Sequence, residues 1–500
     1  MRYLMILEVS QKQAYIFSSN KLKENIENSE AICRVTDPEY FEAVTKKNNM
    51  PFEKETQLVY SGGGHTVLEF ADEQDARDFA FLISRTVRRD YPYMELFIKT
   101  MQYDEQRSAS ENLEKLTQEL EKKKSVRAAS FRQGSFGVEK IDTDKRKPRM
   151  IQRESQDSWE TQDDYVPAGY KLTKQIEQIG GEKNSGFIAI IHIDGNAMGK
   201  RIRRLEEENK SKPWEEFKKS LRMFSQSIDN DYKEAFREMM DRIAQNIQEE
   251  NPYFPVRKII LAGDDVCFLT EGSIGLEAAR IFIENLGRKV NAQDHQKYHA
   301  CAGVALVHRK YPFYKAYELS EMLCSNAKKY LASAGPDGED AGEMADAIDW
   351  HIEFGELEDS LAEVRKGYIT VDGNHLEMRP YLISAEETIW KCERVRRYEN
   401  VRTLIRKMQG KDMLYARGKI KEFREALKEG EEAADYYVKS QLMEDYSVAG
   451  YSGIFIDMDY DRLLSGKGQE SGIFIKTKDG VKRSLYFDAI ELLDTFTALE

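Results

Sequence analysis

Along the first hundred residues the pattern of apolar and polar positions switches between two periods. Tyr3–Glu8 (YLMILE), QLVY ending at Tyr60, and HTVLEF from His65 to Phe70 are short runs rich in branched and aromatic residues, and a Ser61-Gly62-Gly63-Gly64 turn separates the last two. These read as strands. DEQDARDFAFLISRTVRRDY spaces its apolar residues three and four apart and reads as a helix, after which MELFIKTMQY returns to strand. The same succession recurs from Phe187: strand FIAIIHID, helical stretches from about 197 to 250, strand KIIL, the turn Ala262-Gly263-Asp264-Asp265, strand VCFLT, helix GLEAARIFIENLGRKVN and strand HACAGVALVH. A β-α-β-β-α-β order met twice predicts an α+β chain with two ferredoxin-like domains, each an antiparallel sheet with its helices on one face.

The patterning divides the chain into a first copy over 1–110, a polar helical and loop linker over 111–184, a second copy over 185–335, and a mainly helical carboxy-terminal domain over 336–500. The last region holds the helical stretches SLAEVRKG, AEETIWKCERVRRYENVRTLIRKM and GKIKEFREALKEGEEAADYYVKSQ, an Asp372-Gly373 hairpin, and strand-like GIFIDMDY and SGIFIKT. Overlaying the copies pairs Glu8 with Asp194, Gly62 with Gly263, Gly63 with Asp264 and Gly64 with Asp265. The second copy thus carries three carboxylates where the first keeps one, which predicts one catalytic centre and one surface that only shapes a binding site.

Composition narrows the class. The formal charge of −13 argues against a general nucleic-acid coat, although basic stretches at Lys145–Arg153 and Arg394–Arg424 offer either RNA contact or solvated faces. Five dispersed cysteines with no C-x-x-C pair argue against a structural zinc site. No run approaches the ~18 apolar residues of a membrane span. The apolar amino terminus lacks a signal-peptide cleavage site, so a reducing cytoplasm is expected.

The acids carry the candidate chemistry. Asp194 ends a strand and precedes Gly195-Asn196 and a helix, whose first amides (Ala197, Met198, Gly199) have no internal partners and can face phosphate, with Lys200 close behind. Asp264 and Asp265 lie at a hairpin tip, where Gly263 allows a positive φ. As a bare turn Gly-Asp-Asp is unremarkable chemistry. With Asp194 in register beside it, the set calls for a hard divalent cation, Mg²⁺ or Mn²⁺. Two such ions, about 4 Å apart, support in-line attack of a ribose hydroxyl on an α-phosphate with pyrophosphate leaving. Lys328, on the amphipathic helix YELSEMLCSNAKKYLA, is either a phosphate contact or a solvated lysine. Asp457, Asp459 and Asp461 alternate along a strand and read as a solvated face. His192 and Cys267 read as core.

The runs IDGNAMGK, LAGDDVCFL and ACAGVALVHRKYPFYKAYELSEMLCSNAKKY resemble the second palm domain of the large polymerase/cyclase subunit of type III CRISPR effector complexes. EVSQKQAYIFSSNKLKENIENSEAI and LVYSGGGHTVLEF are similar to that family's degenerate first palm. The resemblance implies a nucleotidyltransferase that converts ATP into oligoadenylate second messengers, usually cyclic, in antiviral defence. It implies catalytic Asp194, Asp264 and Asp265, metal held by these acids with Gly195, and nucleotide contacts from Gly263, Asn196, Gly199, Lys200 and Lys328. Ala327-Lys328 matches the phosphate-contacting Ala-Lys helix of the related diguanylate cyclases. Gly62, Gly63 and Gly64 match a segment facing the second nucleotide, with Ser29 expected nearby.

Three departures stand out. No His-Asp dipeptide of an amino-terminal nuclease occurs, and the chain starts at the first palm. No zinc-binding cysteines lie between the palms. Asn196 stands where a second acid is often found. The expected partners are nucleoside triphosphates, with other effector subunits or RNA meeting the helical carboxy-terminal region. Two alternatives stay open: a non-catalytic nucleotide sensor or scaffold, and a cyclase-like enzyme using GTP.

Overall fold

The computed structural model describes residues 2–19, 21–126, 141–142, 147–148, 165–179, 186–247, 251–334, 342–353, 360–386, 390–410, 417–442 and 473–500. The first copy runs β1 (Tyr3–Ser10), α1 (Leu22–Val35), α2 (Pro38–Lys47), β2 (Leu58–Gly62), β3 (His65–Phe70), α3 (Glu73–Asp90) and β4 (Glu95–Gln102). Its antiparallel sheet has the order β2-β3-β1-β4, the ferredoxin-like arrangement. The period-2 pattern of β1 sorts its side chains. Met5, Leu7 and Val9 pack with Ile26 and Ile32 of α1 and Phe79 and Ile83 of α3. Leu4 and Ile6 pack instead with Leu113 and Leu116 of α4 (Ala109–Ser125). A Ser108–Glu111 capping box starts α4.

The second copy repeats the plan with β5 (Phe187–Gly195), α5 (Met198–Glu208), α6 (Trp214–Asn246), β6 (Val256–Ala262), β7 (Asp265–Glu271), α7 (Gly275–Leu286), β8 (Ala300–His308) and α8 (Phe313–Ala334). Phe236 and Phe282, from α6 and α7, pack with Ile191 and Phe268. On the other face Tyr317 and Leu323 of α8 pack with Ile190 and Cys267. Each sheet therefore has the helices of its own unit on one face, as expected, and a following helix, α4 or α8, on the other.

Two features differ from the pattern reading. The second sheet continues through β9 (Asp346–Glu353) and β10 (Tyr381–Ser384), in the order β10-β9-β8-β5-β7-β6, with β9 parallel to β8. DAIDWHIE does not look like a buried strand because half its residues are ionisable, yet all eight are buried. Its charges have partners. Asp346 accepts from the Ala300 amide at 2.8 Å, and Asp349 from Arg365 at 2.6 Å and Asn326 at 2.7 Å. The second difference is register. Glu8 lies opposite His65 as Asp194 lies opposite Asp265, so Gly63 corresponds to Gly263, Gly64 to Asp264 and His65 to Asp265. The overlay of hairpins from sequence slides by one residue because a run of three glycines offers no side chain to anchor it.

Helix α6 joins the copies. Its 33 residues span about 50 Å. Near its start, the Trp214 indole and Lys218 ammonium both donate to Glu69 of β3 at 2.8 Å. Further along, Tyr232 and Phe236 enter the second core. Reciprocally, α1 lies against β6.

Beyond the sheets lie α9 (Tyr398–Gln409), α10 (Arg417–Glu429) and α11 (Glu431–Leu442). The stretch read as one helix over 418–441 breaks at Gly430, whose φ is +117°. The Asp372-Gly373 turn is present, with Ile369 bridged to His375, and Phe474–Lys476 pairs with Lys482–Ser484. GIFIDMDY, with Asp457, Asp459 and Asp461, lies outside the described residues.

Candidate active site

Asp194 and Asp265 are direct partners across β5 and β7, so their side chains leave the same face of the sheet. Asp264 sits at the tip of the β6–β7 hairpin, and Gly263 takes φ +65° to close it. Gly63 holds φ +57° in the matching turn, and a Cβ added at Gly263 would lie 3.8 Å from the Gly63 amide nitrogen. The two turns thus face each other across the junction of the copies.

From α8, the Lys328 ammonium donates to Asp194 Oδ2 at 2.6 Å and to the Gly195 carbonyl at 2.8 Å. Burial works against its charge, but the adjoining Asp194 carboxylate more than offsets this and holds its pKa above the ordinary lysine range. Asp265 is 45% exposed, yet its Oδ1 is sealed from solvent without a hydrogen-bond partner, 3.7 Å from His192 Nδ1. The crevice walls, then the charges of Asp194 and Asp264, push its pKa up to about 7. Asp264 is raised for the same reasons, burial first and Asp194 next.

Glu321 is a fourth carboxylate on the same face of α8. It accepts from Gln13 of the first copy and from the Tyr317 hydroxyl, and burial raises its pKa. As placed, no three His, Cys, Asp or Glu side chains among the described residues converge closely enough to hold a metal ion. The donors nevertheless suit a hard cation. The Asp194 charge adds to burial in raising the pKa of Asp264 and Asp265, one buried oxygen lacks a hydrogen-bond partner, and a lysine cation already bridges Asp194 and the Gly195 carbonyl.

Other expected site residues are placed differently. Asn196 is buried, and its amide donates 2.9 Å to the Ala345 carbonyl, so it ties the loop to the start of β9 instead of facing the acids. Lys200 pairs with Glu343. Gly199 lies in the first turn of α5 with open space around it. That helix is entered through Ala197 at φ +59°, a left-handed conformation that costs an alanine about 1 kcal/mol. Ser29 is buried in α1. Gly62 lies beside Ser225 of α6. His192 is buried edge-on to Tyr317, as its core reading expects, and burial lowers its pKa to about 4. Cys267 is fully buried.

The first copy holds groups that patterning did not single out. Lys124 of α4 donates to Glu8 at 2.8 Å, and Lys12 donates to the Gly63 carbonyl beside half-buried His65, whose pKa is lowered to about 4. Extending the repeat overlay one helix further would have revealed Lys124: it and Lys328 close on the strand-end acids of their own copies from equivalent helices.

Residues 187–333 match the family model described as Cas10/Cmr2, second palm domain. A search of curated proteins found no match. Among solved structures, Csm1 from T. onnurineus aligns over 98% of this chain and 69% of its own, with TM-score 0.56 and 13% identity. A Csm1–Csm4 cassette in complex with cA3 aligns over 99% and 70%, with TM-score 0.57 and 12% identity. A cassette in complex with AMPPNP aligns over 90% and 68%, with TM-score 0.53 and 13% identity. Residues 187–333 therefore resemble a Cas10/Cmr2 second palm, and the chain as a whole shares its fold with Csm1.

Proposed function

We propose that the chain is a nucleotidyltransferase that joins nucleoside triphosphates, ATP first among them, into a linear or cyclic oligonucleotide with release of pyrophosphate, as a second messenger in antiviral defence. The observation that carries this reading is the direct pairing of Asp194 with Asp265 beneath the Asp264 turn, facing the glycine turn of the first palm. It is supported by relatives of the same fold that were solved with cA4, with cA3, with one ATP and with pppApA.

In this reading Asp194, Asp264, Asp265 and the Gly195 carbonyl hold Mg²⁺ or Mn²⁺, which when bound supplies Lewis-acid stabilisation of the attacking and leaving oxygens. The chain's own groups do the rest. Lys328, once released from Asp194, reaches the phosphates of the reacting nucleotide, while the amides around Gly199 and Gly263 donate to the same phosphate oxygens. The glycine turn Gly62-Gly63-Gly64 brings the second nucleotide's hydroxyl toward the acids. Asn196 fixes the loop that aims Asp194. We place the catalytic domain at 185–335, the first palm at 1–110, and docking of other effector subunits in the helical region beyond.

Purified chain is incubated with Mg²⁺ or Mn²⁺ and each labelled triphosphate, with and without RNA, and the products are resolved by mass spectrometry. Pyrophosphate and oligoadenylate that vanish in Asp264→Asn plus Asp265→Asn support the reading. The Lys328–Asp194 pair also suits a nucleotide sensor without catalysis. Nucleotide binding with no turnover under every condition would establish that instead.

A further inference from the structure

We propose that Tyr232 is a positioning residue of the acid site, its buried hydroxyl donating a hydrogen bond to Asp264 when the acids close on a divalent cation. This rests on the metal-binding part of the reading above and on no step of its chemistry.

The inference starts from an imbalance between two touching tyrosines. Tyr232 of α6 and Tyr298, just before β8, meet edge to face with ring centroids 5.7 Å apart. Both are fully buried. The Tyr298 hydroxyl donates to Asp231 at 2.6 Å and accepts from the Asn291 amide at 2.9 Å. The Tyr232 hydroxyl is sealed from solvent and has no hydrogen-bond partner among the described residues. A buried hydroxyl without a partner is a cost to folding that a phenylalanine of the same shape would not carry.

The hydroxyl is directed at the acid site. It fills the place a side chain would take at Gly195, where an added Cβ would lie 2.7 Å from its oxygen. Gly195 follows Asp194, and its carbonyl accepts from Lys328 at 2.8 Å. After burial, the charges of Asp264 and then Asp194 hold the phenol's pKa well above the ordinary tyrosine range. The hydroxyl therefore has a proton to give a carboxylate. Asp194 already accepts from Lys328 at 2.6 Å. Asp264 lies in the two-residue turn between β6 and β7, off the strand ladder, and is the acid least held by the sheet.

The ring has no such freedom. Tyr298 and Phe282, whose ring centroid lies 6.1 Å away, pack against it. Two turns earlier on the same face of α6, Ser225 donates to the Ser61 carbonyl of the first palm at 2.7 Å and pins the helix to the glycine turn. A donor fixed by packing, beside an acid that is not, is how an outer contact orients a metal ligand.

The test is Mn²⁺ binding to the full chain, followed by EPR, set beside denaturant unfolding in excess EDTA, for wild type, Tyr232→Phe and Tyr298→Phe. Ions lost in Asp194→Asn plus Asp264→Asn plus Asp265→Asn are counted as those of the acid site. Tyr232→Phe should weaken their binding about 10-fold, as loss of an outer contact to a ligand does. Its unfolding midpoint in EDTA should hold or rise, because an unpartnered hydroxyl has been removed. Tyr298→Phe should do the reverse, lowering the midpoint with Mn²⁺ affinity kept, since its hydroxyl serves Asp231 and Asn291. The proposal is overturned if wild type binds no Mn²⁺ at the acids, if Tyr232→Phe leaves that affinity unchanged, or if Tyr232→Phe lowers stability in EDTA, which marks a structural hydroxyl. Pyrophosphate release from ATP, measured in parallel, keeps the two readings apart. Tyr232-dependent Mn²⁺ binding in a chain that never turns over would uphold this inference and refute the enzymatic one. Turnover in a chain whose Mn²⁺ affinity ignores Tyr232 would do the opposite.

Discussion

The two palms share strand order, an acid at the end of the first strand, a positive-φ glycine in the hairpin turn, and a lysine from the covering helix. They differ most in charge at Gly64-His65 against Asp264-Asp265 of the hairpin, and in what lies beyond the fourth strand. Among the described residues the first sheet has four strands, whereas the second carries β9 and β10 as well. That extension reaches the site indirectly: Asp349 of β9 accepts from Asn326, two residues before Lys328 on α8. One scaffold thus holds two electrostatic solutions. An acid and lysine pair alone is a closed account of charge. Adding two carboxylates beside it leaves charge that only a cation can satisfy.

The comparison can be broken in several ways. The largest expected effect is from Asp264→Asn plus Asp265→Asn, which should cut pyrophosphate release by at least ~10³-fold, equivalent to losing several kcal/mol of charge stabilisation. The melting temperature should hold or rise, since the acids repel one another. Next comes the strand extension. Arg365→Met would leave Asp349 buried without a cation, held only by the Asn326 amide and the Trp350 backbone N–H, and should cost about 3 kcal/mol in denaturant unfolding.

His65→Gln tests the neutral histidine. Its folded pKa, about 4, lies below the unfolded value of 6.5, so the unfolded chain binds more protons between them. The stability from His65 is full above pH 6.5 and is lost as the pH falls toward 4. The glutamine variant should flatten that loss by roughly 2 kcal/mol, read from melts across the window. The smallest effect concerns the turns. Gly63→Ala and Gly263→Ala should each cost about 1 kcal/mol, from positive φ and not from crowding, since the nearest atoms lie at 3.8 Å. Of the two, Gly263→Ala should slow turnover more, because it shifts the acids themselves.

Much of this was legible in the chain. The eight strands of the two copies follow from apolar runs bounded by Gly, Asp or Ser, and His65–Phe70 is a strand end to end. The pairing of Glu8 and Asp194 as equivalent positions also followed, because both end such a run. What stayed hidden was set by tertiary context. β9 carries Asp346, Asp349, His351 and Glu353; Asp346 and Asp349 take partners from other elements, Ala300, Asn326 and Arg365, while His351 lies against Glu353. Asn196 looked like a ligand by position, and only the fold turns its amide toward Ala345. Lys12, Lys124 and Glu321 lie in segments of ordinary charged composition. Nothing local separates them from solvated residues until the sheets bring them to the turns.

The central claim is that divalent metal is called for by one palm and refused by the other. Mn²⁺ binding, followed by EPR in the presence of AMP-PNP, tests it most directly. The bound-ion signal should be retained in Glu8→Gln and lost in Asp194→Asn plus Asp264→Asn plus Asp265→Asn. Bound Mn²⁺ that survives the triple substitution, or disappears with Glu8→Gln alone, would contradict it.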